Sequence, residues 1–296
     1  MNYPSCQSMI IAITGATGNI GRPLVAELAA AGARVRAITR TPNTVDFPDG
    51  VEQVRSLAEA LPGTSAVFLN SRALPQRNAE GLATVVAQCK AAGVTKLVAL
   101  SAINAHDDFA RQPSRFRGDR NREVEQAAVE SGLQWVSLRP SVFASNFTGM
   151  WAGQLRAGDV VAGPYAAASM APIVDDDISA VAARALLTDE LVGRKIPMTG
   201  PHALTNRELV DVIGTVLRRP LRYHELPPEL VRQRFTGSGF SAEFADAYVT
   251  MLAASLDSPA LVTHEVEKVL GRPPLAFAEW VARHRADFTR QADRDV

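Results

Sequence analysis

Met9-Ile10-Ile11-Ala12-Ile13-Thr14-Gly15-Ala16-Thr17-Gly18-Asn19-Ile20-Gly21 is the stretch on which the reading of this chain turns. Its first half is a continuous apolar run of strand length, the pattern of a strand buried on both faces. A glycine-studded turn follows, and then a helical stretch with Ile20, Leu24, Leu28 and Ala31 on one face. Gly32 is placed to end that helix in a left-handed conformation. Each glycine of the turn suits a bound dinucleotide. Gly15 permits the tight turn, Gly18 lets the backbone approach a pyrophosphate with no Cβ between, and Gly21 lets the helix pack closely on the strand. The phosphate charge then meets the open N–H groups of the helix N-terminus. Thr17, Asn19 and Ile20 therefore join the three glycines as expected cofactor contacts.

Outward from this turn the alternation continues. Residues 34–39 and 66–69 read as strands. Leu82, Val85, Val86 and Cys89 line a helix that stops at Gly93 before a strand at 96–100. Val124, Ala127 and Ala128 line another that stops at Gly132 before a strand at 135–138. Strands alternating with helices imply parallel, right-handed crossovers. The expected fold class is α/β: a doubly wound parallel sheet of the Rossmann kind with a smaller, mostly helical C-terminal lobe. Residues 1–150 are assigned to the Rossmann domain, to which the chain returns at about 173–200 through Ile173-Val174 and a helix at 178–187. Residues 151–172 and 201–296 are assigned to the smaller lobe, a lid over the substrate, with helices at 206–217, 228–235, 242–256 and 277–288.

Composition narrows the function classes. The 296 residues carry 31 Lys+Arg against 31 Asp+Glu, and 47% are hydrophobic. That excludes a disordered chain and provides no long-range field for nucleic acid or an anionic membrane. No apolar run approaches the roughly 18–20 residues of a membrane span. Residues 1–8 lack the basic start and apolar stretch of a secretory signal. Cys6 and Cys89 have no metal-ligand spacing and need not pair, which suits a reducing cytoplasm. The run Asp175-Asp176-Asp177 reads as the acidic start of a helix rather than a metal site. A cytoplasmic protein with a small-molecule substrate is expected, with no metal, nucleic-acid or membrane partner. Monomer and homodimer stay equally open.

The end of the second strand distinguishes the cofactors. NAD sites place an acidic residue there for the ribose hydroxyls, whereas NADP sites place a cation. Here the strand ends Ile38-Thr39-Arg40-Thr41-Pro42, with no carboxylate before Asp46. Arg40 can stack on adenine and pair with a 2′-phosphate, so NADP(H) is expected.

More motifs lie further along: Glu125, Ser131-Gly132-Leu133-Gln134-Trp135 with Leu138-Arg139-Pro140, Ala171-Pro172-Ile173-Val174 before the acidic run, Thr199-Gly200-Pro201, and Gly271-Arg272-Pro273-Pro274. With the glycine turn, they resemble the NmrA-like branch of the atypical short-chain dehydrogenase/reductase superfamily over nearly the whole chain. The resemblance implies a nicotinamide cofactor. It also implies either reduction of quinones, azo dyes or natural-product intermediates, or sensing of the nicotinamide redox state. Two departures stand out. A Gly-Asp pair that many members carry after the third strand is missing, since Gln53-Val54-Arg55-Ser56-Leu57 runs straight into a short helix. The superfamily's Tyr-x-x-x-Lys is also missing, for neither residue type occurs between Ser101 and Trp135. Arg122 stands near its place. It can keep the lysine's electrostatic role but is a poor proton donor because it stays charged.

Ligands of open α/β sheets bind at the carboxyl edge of the strands. Ser101 closes a strand there, either to bond a substrate oxygen or to cap the strand end. Asn70 and Ser71 end the neighbouring strand, where the nicotinamide ribose is expected. His106 follows in a polar loop and can donate a proton at neutral pH. Pro140 and Ser141 would flank the nicotinamide. Phe143, Asn146, Trp151 and Tyr165 either line a pocket for a flat acceptor or belong to the core. Tyr165, in a Gly-Pro-Tyr turn, is the one phenol placed to act as an acid. Arg115, Arg117, Arg120 and Arg122 read as a solvated basic face or a lid over the cofactor phosphates. The expected function is an NADPH-dependent oxidoreductase passing hydride to a quinone-like, polycyclic aromatic or carbonyl small molecule. A non-catalytic NADP(H) sensor acting through a protein partner is the alternative.

Overall fold

The structure, a computed structural model, describes residues 9–289. Cys6 and the leader reading of residues 1–8 lie outside the described residues. The chain forms two compact units. The first takes the chain up to Ala105, Gly118–Pro140 and Asp175–Pro197. The second takes His106–Arg117, Ser141–Val174 and the chain from Met198 onward.

The first unit begins with β1 (Ile10–Ile13), α1 (Gly21–Ala30), β2 (Arg34–Ile38), β3 (Glu52–Val54) and α2 (Leu57–Ala60). It continues with β4 (Ala66–Asn70), α3 (Ala79–Ala91), β5 (Lys96–Leu100), α4 (Asn121–Val129) and β6 (Gln134–Pro140). The chain then enters the second unit as α5 (Asn146–Ala157), β7 (Val160–Gly163) and β8 (Ser169–Met170). It returns with α6 (Asp175–Leu187) and β9 (Arg194–Met198). The second unit is completed by β10 (Leu204–Thr205), α7 (Asn206–Leu217), β11 (Arg222–Glu225), α8 (Pro228–Gly237), α9 (Ala242–Ala254), α10 (Glu265–Leu270), α11 (Phe277–Arg283) and α12 (Arg285–Phe288).

The central sheet has the order β3-β2-β1-β4-β5-β6-β9. β1 pairs in parallel with both β2 and β4, so the strand order reverses beside it. That switch point is where a doubly wound sheet opens a crevice for a ligand. The central strands are apolar because helices cover both faces: Ile11, Phe68, Leu97 and Val98 are all wholly buried. Helix ends fall at the predicted glycines, with Gly32, Gly93 and Gly132 at φ +85°, +82° and +75°. Among the described residues, no helix is long and apolar enough to cross a membrane.

The second unit is mostly helical and carries two small sheets, β10-β8 and β11-β7. Phe147, Trp151 and Leu155 of α5 fill its core with Val161, Leu209, Ile213, Phe277 and Trp280. That packing moves the boundary between the units to Pro140–Ser141, where the sequence suggested 150. Residues 106–117 join the second unit because their two short 3-10 turns pack on α9.

Three local expectations are corrected. Ile173-Val174 is not a strand of the central sheet; Ile173 makes a single parallel bridge with Phe143. The returning strand is instead β9, Arg-Lys-Ile-Pro-Met, whose Ile196 and Met198 are buried. Its charges and Pro197 hid it from the pattern, and proline is tolerated there because β9 is an edge strand. Finally, α6 starts at Asp175, so the acidic run is its first turn, and the stretch expected as one helix at 277–288 is broken at His284.

Candidate active site

In the first unit the glycine turn has the geometry a phosphate needs. Gly15 sits at φ +68°, in the left-handed region. Gly18 N donates to the Gly15 carbonyl at 3.0 Å, and Arg22 N to the Gly18 carbonyl at 3.0 Å. At Gly21 a Cβ would strike the Gly15 carbonyl and lie 2.7 Å from Ala16 Cα, so no side chain fits. Thr17, Gly18 and Asn19 are exposed, while Ile20 is buried. No side chain caps α1, and its first turn holds no acidic residue. Pro23 adds no N–H that would need a partner. The positive end of α1 is thus left open to an anion, and this cradle fits a dinucleotide pyrophosphate.

The turn is anchored by residues that sequence reasoning passed over. Thr14 Oγ1 donates to the Phe68 carbonyl at 2.8 Å and accepts from Asn70 N at 2.8 Å, tying the turn to β4. Ser179 Oγ, on α6, donates to the Ile20 carbonyl at 3.0 Å. Thr14 was visible as the polar residue closing an apolar strand. Ser179 gave no local signal, being 159 residues from its partner.

Arg40 follows β2 and is exposed, with no hydrogen-bond or ion-pair partner among the described residues. After β3 the segment closes on itself. Ser56 caps α2 by accepting from Glu59 N, and Arg55 N donates to Glu59 Oε2 at 3.0 Å.

The ends of β4 and β5 are knitted to the start of α4 by three successive residues. Arg120 N donates to Ser71 Oγ at 3.1 Å, Ser101 Oγ donates to the Asn121 carbonyl at 3.0 Å, and Arg122 Nε donates to the Ala105 carbonyl at 2.9 Å. Ser71 and Ser101 are buried. Asn70 Oδ1 accepts from Arg72 N at 3.1 Å, and the Pro140 carbonyl accepts from Ile103 N at 2.9 Å. One turn further along α4, buried Glu125 receives Arg139 through two bonds of 2.7 and 2.6 Å and Ser137 at 2.5 Å. The bonds to Glu125 hold the Arg139 guanidinium above its ordinary range.

The second unit holds the remaining candidates. Ser141 N donates to the Met198 carbonyl at 2.8 Å and Ser141 Oγ to the Ala171 carbonyl at 2.5 Å. Phe143 is half-buried, Asn146 is exposed at the start of α5, and His106 is exposed. Trp151 belongs to the core, its ring 4.7 Å from Phe147. Arg115 lies 3.8 Å over the Phe109 ring and Arg117 5.4 Å over Phe240, so both guanidinium groups stack on aromatic faces.

Tyr165 differs from the other described tyrosines. Its ring is half-buried against the unit's core and a smaller cluster of Leu226, Val231 and Val249. Its hydroxyl has no protein hydrogen-bond partner among the described residues. Tyr223 instead donates to the Pro164 carbonyl at 2.7 Å, and burial pushes its phenol up. Tyr248 donates to Met150 Sδ at 3.9 Å, and burial pushes it up to about 12. Among the described residues no group of three or more His, Cys, Asp or Glu side chains is placed to hold a metal ion.

Sheet order and open cradle define a nucleotide-binding protein of the doubly wound class. The NAD(P)H-binding family model matches residues 15–188, and the chain belongs to that family. It is an NAD(P)H-dependent oxidoreductase, and its fold is also that of an NmrA protein, at TM-score 0.72 and 14% identity, over 97% and 98% of the two chains. It is 35% identical to a (4-alkanoyl-5-oxo-2,5-dihydrofuran-3-yl)methyl phosphate reductase of Streptomyces griseus, over 94% of this chain and 99% of that one. It is 31% identical to an NAD(P)H azoreductase of Xenophilus azovorans, over 94% of this chain and 99% of that one. The fold is shared with an NADPH-dependent quinone oxidoreductase of Escherichia coli in complex with NADPH, at TM-score 0.77 and 22% identity, over 93% and 99% of the two chains.

Proposed function

We propose that this protein uses NADPH to reduce a conjugated, electron-poor small molecule of the quinone or unsaturated carbonyl kind, as a tailoring step in natural-product chemistry. One observation carries the reading. Where the superfamily's tyrosine and lysine would stand, α4 offers only Arg122, and its Nε is committed to the Ala105 carbonyl. A simple ketone needs an acid in concert with hydride arrival. A conjugated acceptor spreads the incoming charge and does not. The relatives named for an oxo-dihydrofuran phosphate and for azo compounds act on acceptors of this kind, which supports the reading.

NADPH bound at the glycine turn supplies the hydride. The backbone of Gly15, Gly18 and Gly21 and the open end of α1 hold its pyrophosphate, with Thr17, Asn19 and Ile20 in the same turn. Arg40 takes the 2′-phosphate. Asn70, Ser71, Pro140 and Ser141 are assigned to the nicotinamide end, where Ser101 can still accept a hydrogen bond. Phe143 and Asn146 are assigned to the acceptor. Tyr165 donates a hydrogen bond to the acceptor heteroatom on which negative charge grows, which stabilises the transition state more than the ground state, and water supplies the proton after the hydride has arrived.

The test is NADPH oxidation by the purified protein against quinones, unsaturated lactones, azo compounds and polycyclic ketones, with nucleotide binding followed by fluorescence. Turnover of a conjugated acceptor is expected. Tight NADPH binding with no turnover across the panel would overturn the reading in favour of a redox sensor.

A further inference from the structure

Tyr165 is a bulky residue at φ +47°, a left-handed conformation that only an over-determining environment maintains. The turn around it is held at several points. Asn206 Nδ2 donates to two successive carbonyls, Pro164 at 3.2 Å and Tyr165 at 3.0 Å. Ala166 N donates to Glu225 Oε2 at 2.6 Å, Leu226 N to the Gly163 carbonyl at 2.7 Å, and Ala168 N to the Tyr165 carbonyl at 3.0 Å. A Cβ on Gly163 would lie 3.2 Å from Tyr223 Cζ, so glycine there admits the ring that bonds Pro164. The carbonyls of Gly163, Pro164 and Tyr165 are all engaged, while the phenol at the centre of the turn is not.

Asn206 is not needed as a helix cap. Thr205 caps α7, and Glu208 completes a capping box with it. Of the two ends of the amide, only the NH2 can face two carbonyl oxygens at once. The other end shows the cost: Asn206 Oδ1 is buried with no hydrogen-bond partner, on a residue only 1% exposed. An apolar residue would remove that orphan acceptor and lose both bonds to the turn.

We propose that Asn206, assisted by Glu225, is the positioning residue that fixes Tyr165 in its left-handed conformation and so aims the phenol at the acceptor. This rests on the reading of Tyr165 as the hydrogen-bond donor to substrate. Asn206 acts through Tyr165, so its effect disappears when the hydroxyl is gone.

The experiment is a double-mutant cycle on the full chain. It measures kcat and KM for the quinone turned over fastest, and NADPH affinity, in wild type, Tyr165→Phe, Asn206→Ala and the double variant. Each single variant is expected to lower kcat by about 100-fold or more, the scale of one lost transition-state donor, with NADPH affinity unchanged. The double variant should be no slower than Tyr165→Phe. Losses that multiply in the double variant would overturn the positioning role. An unchanged kcat for Tyr165→Phe alone would identify the donor reading as the failed step and remove the proposal with it. Should Asn206→Ala not fold, Glu225→Ala replaces it, since that side chain is exposed. A kcat loss only in the Tyr165 background supports the proposal, and no loss in either background overturns it.

Discussion

Ser101, at the carboxyl end of β5, gives its hydroxyl hydrogen to the main-chain carbonyl of Asn121 at the first residue of α4, 3.0 Å away. A serine at this edge reads equally as a substrate contact or a strand cap. The bond decides how its hydrogen is used. Ser101→Ala should cost about 1–2 kcal/mol of stability, because a partly buried carbonyl loses its donor, and leave kcat within a few-fold of wild type. Urea unfolding with steady-state rates checks this. A large fall in kcat at unchanged stability would instead place the hydroxyl in the chemistry.

The two later glycines of the cradle are predicted to fail differently. A Cβ on Gly21 meets backbone, so Gly21→Ala should destabilise the apo protein by roughly 1–3 kcal/mol, as overpacking does. A Cβ on Gly18 meets only the Gly15 carbonyl, at an ordinary 3.4 Å. Gly18→Ala should therefore keep the wild-type melting temperature while weakening NADPH binding, because the methyl is added on the exposed side of the turn proposed to hold the pyrophosphate. Thermal melts paired with nucleotide titrations separate the two. Equal destabilisation by both variants would mean that the turn serves packing alone.

Arg40 is predicted to discriminate the nucleotides. It is exposed and has no hydrogen-bond or ion-pair partner among the described residues, so its removal disturbs nothing else. Arg40→Ala should weaken NADPH by about 1.5–3 kcal/mol, the scale of a charge-assisted bond, and leave NADH untouched. Fluorescence titration with both nucleotides reads the difference. The same loss for each would end the phosphate assignment.

Cys89 supplies a pH dependence. It is wholly buried in the first unit, and burial pushes its thiol up to about 11 from the ordinary 9.0. The buried form is the neutral thiol. Its contribution to stability is full below about pH 9 and is lost as pH rises from there toward 11. At pH 8 the folded protein should resist iodoacetamide at this position, read from the mass of the Cys89 peptide. Modification at the rate of a free thiol would show that the packing around α3 opens readily.

Much of the first unit was legible because its physics is local. A parallel strand covered on both faces must be apolar throughout, so β1, β4 and β5 declared themselves as unbroken runs. The glycines that end α1, α3 and α4 were legible for a related reason, since few other residues take positive φ readily. β9 was missed because an edge strand needs apolar residues on alternate positions only and tolerates Pro197. α5 was missed because Gly149 and Gly153 interrupt its pattern, although Phe147, Trp151 and Leu155 recur at helical spacing.

From sequence alone came the doubly wound fold and the glycine turn between β1 and α1, since each is written in neighbouring residues. Tertiary structure alone decided how the candidate side chains are used. Ser101 is engaged by a carbonyl 20 residues away, Ser71 by an N–H 49 residues away, and the turn that mounts Tyr165 by Asn206, 41 residues on. A hydroxyl's availability depends on where its hydrogen goes, and hydrogen-bond partners are set by packing rather than by spacing along the chain.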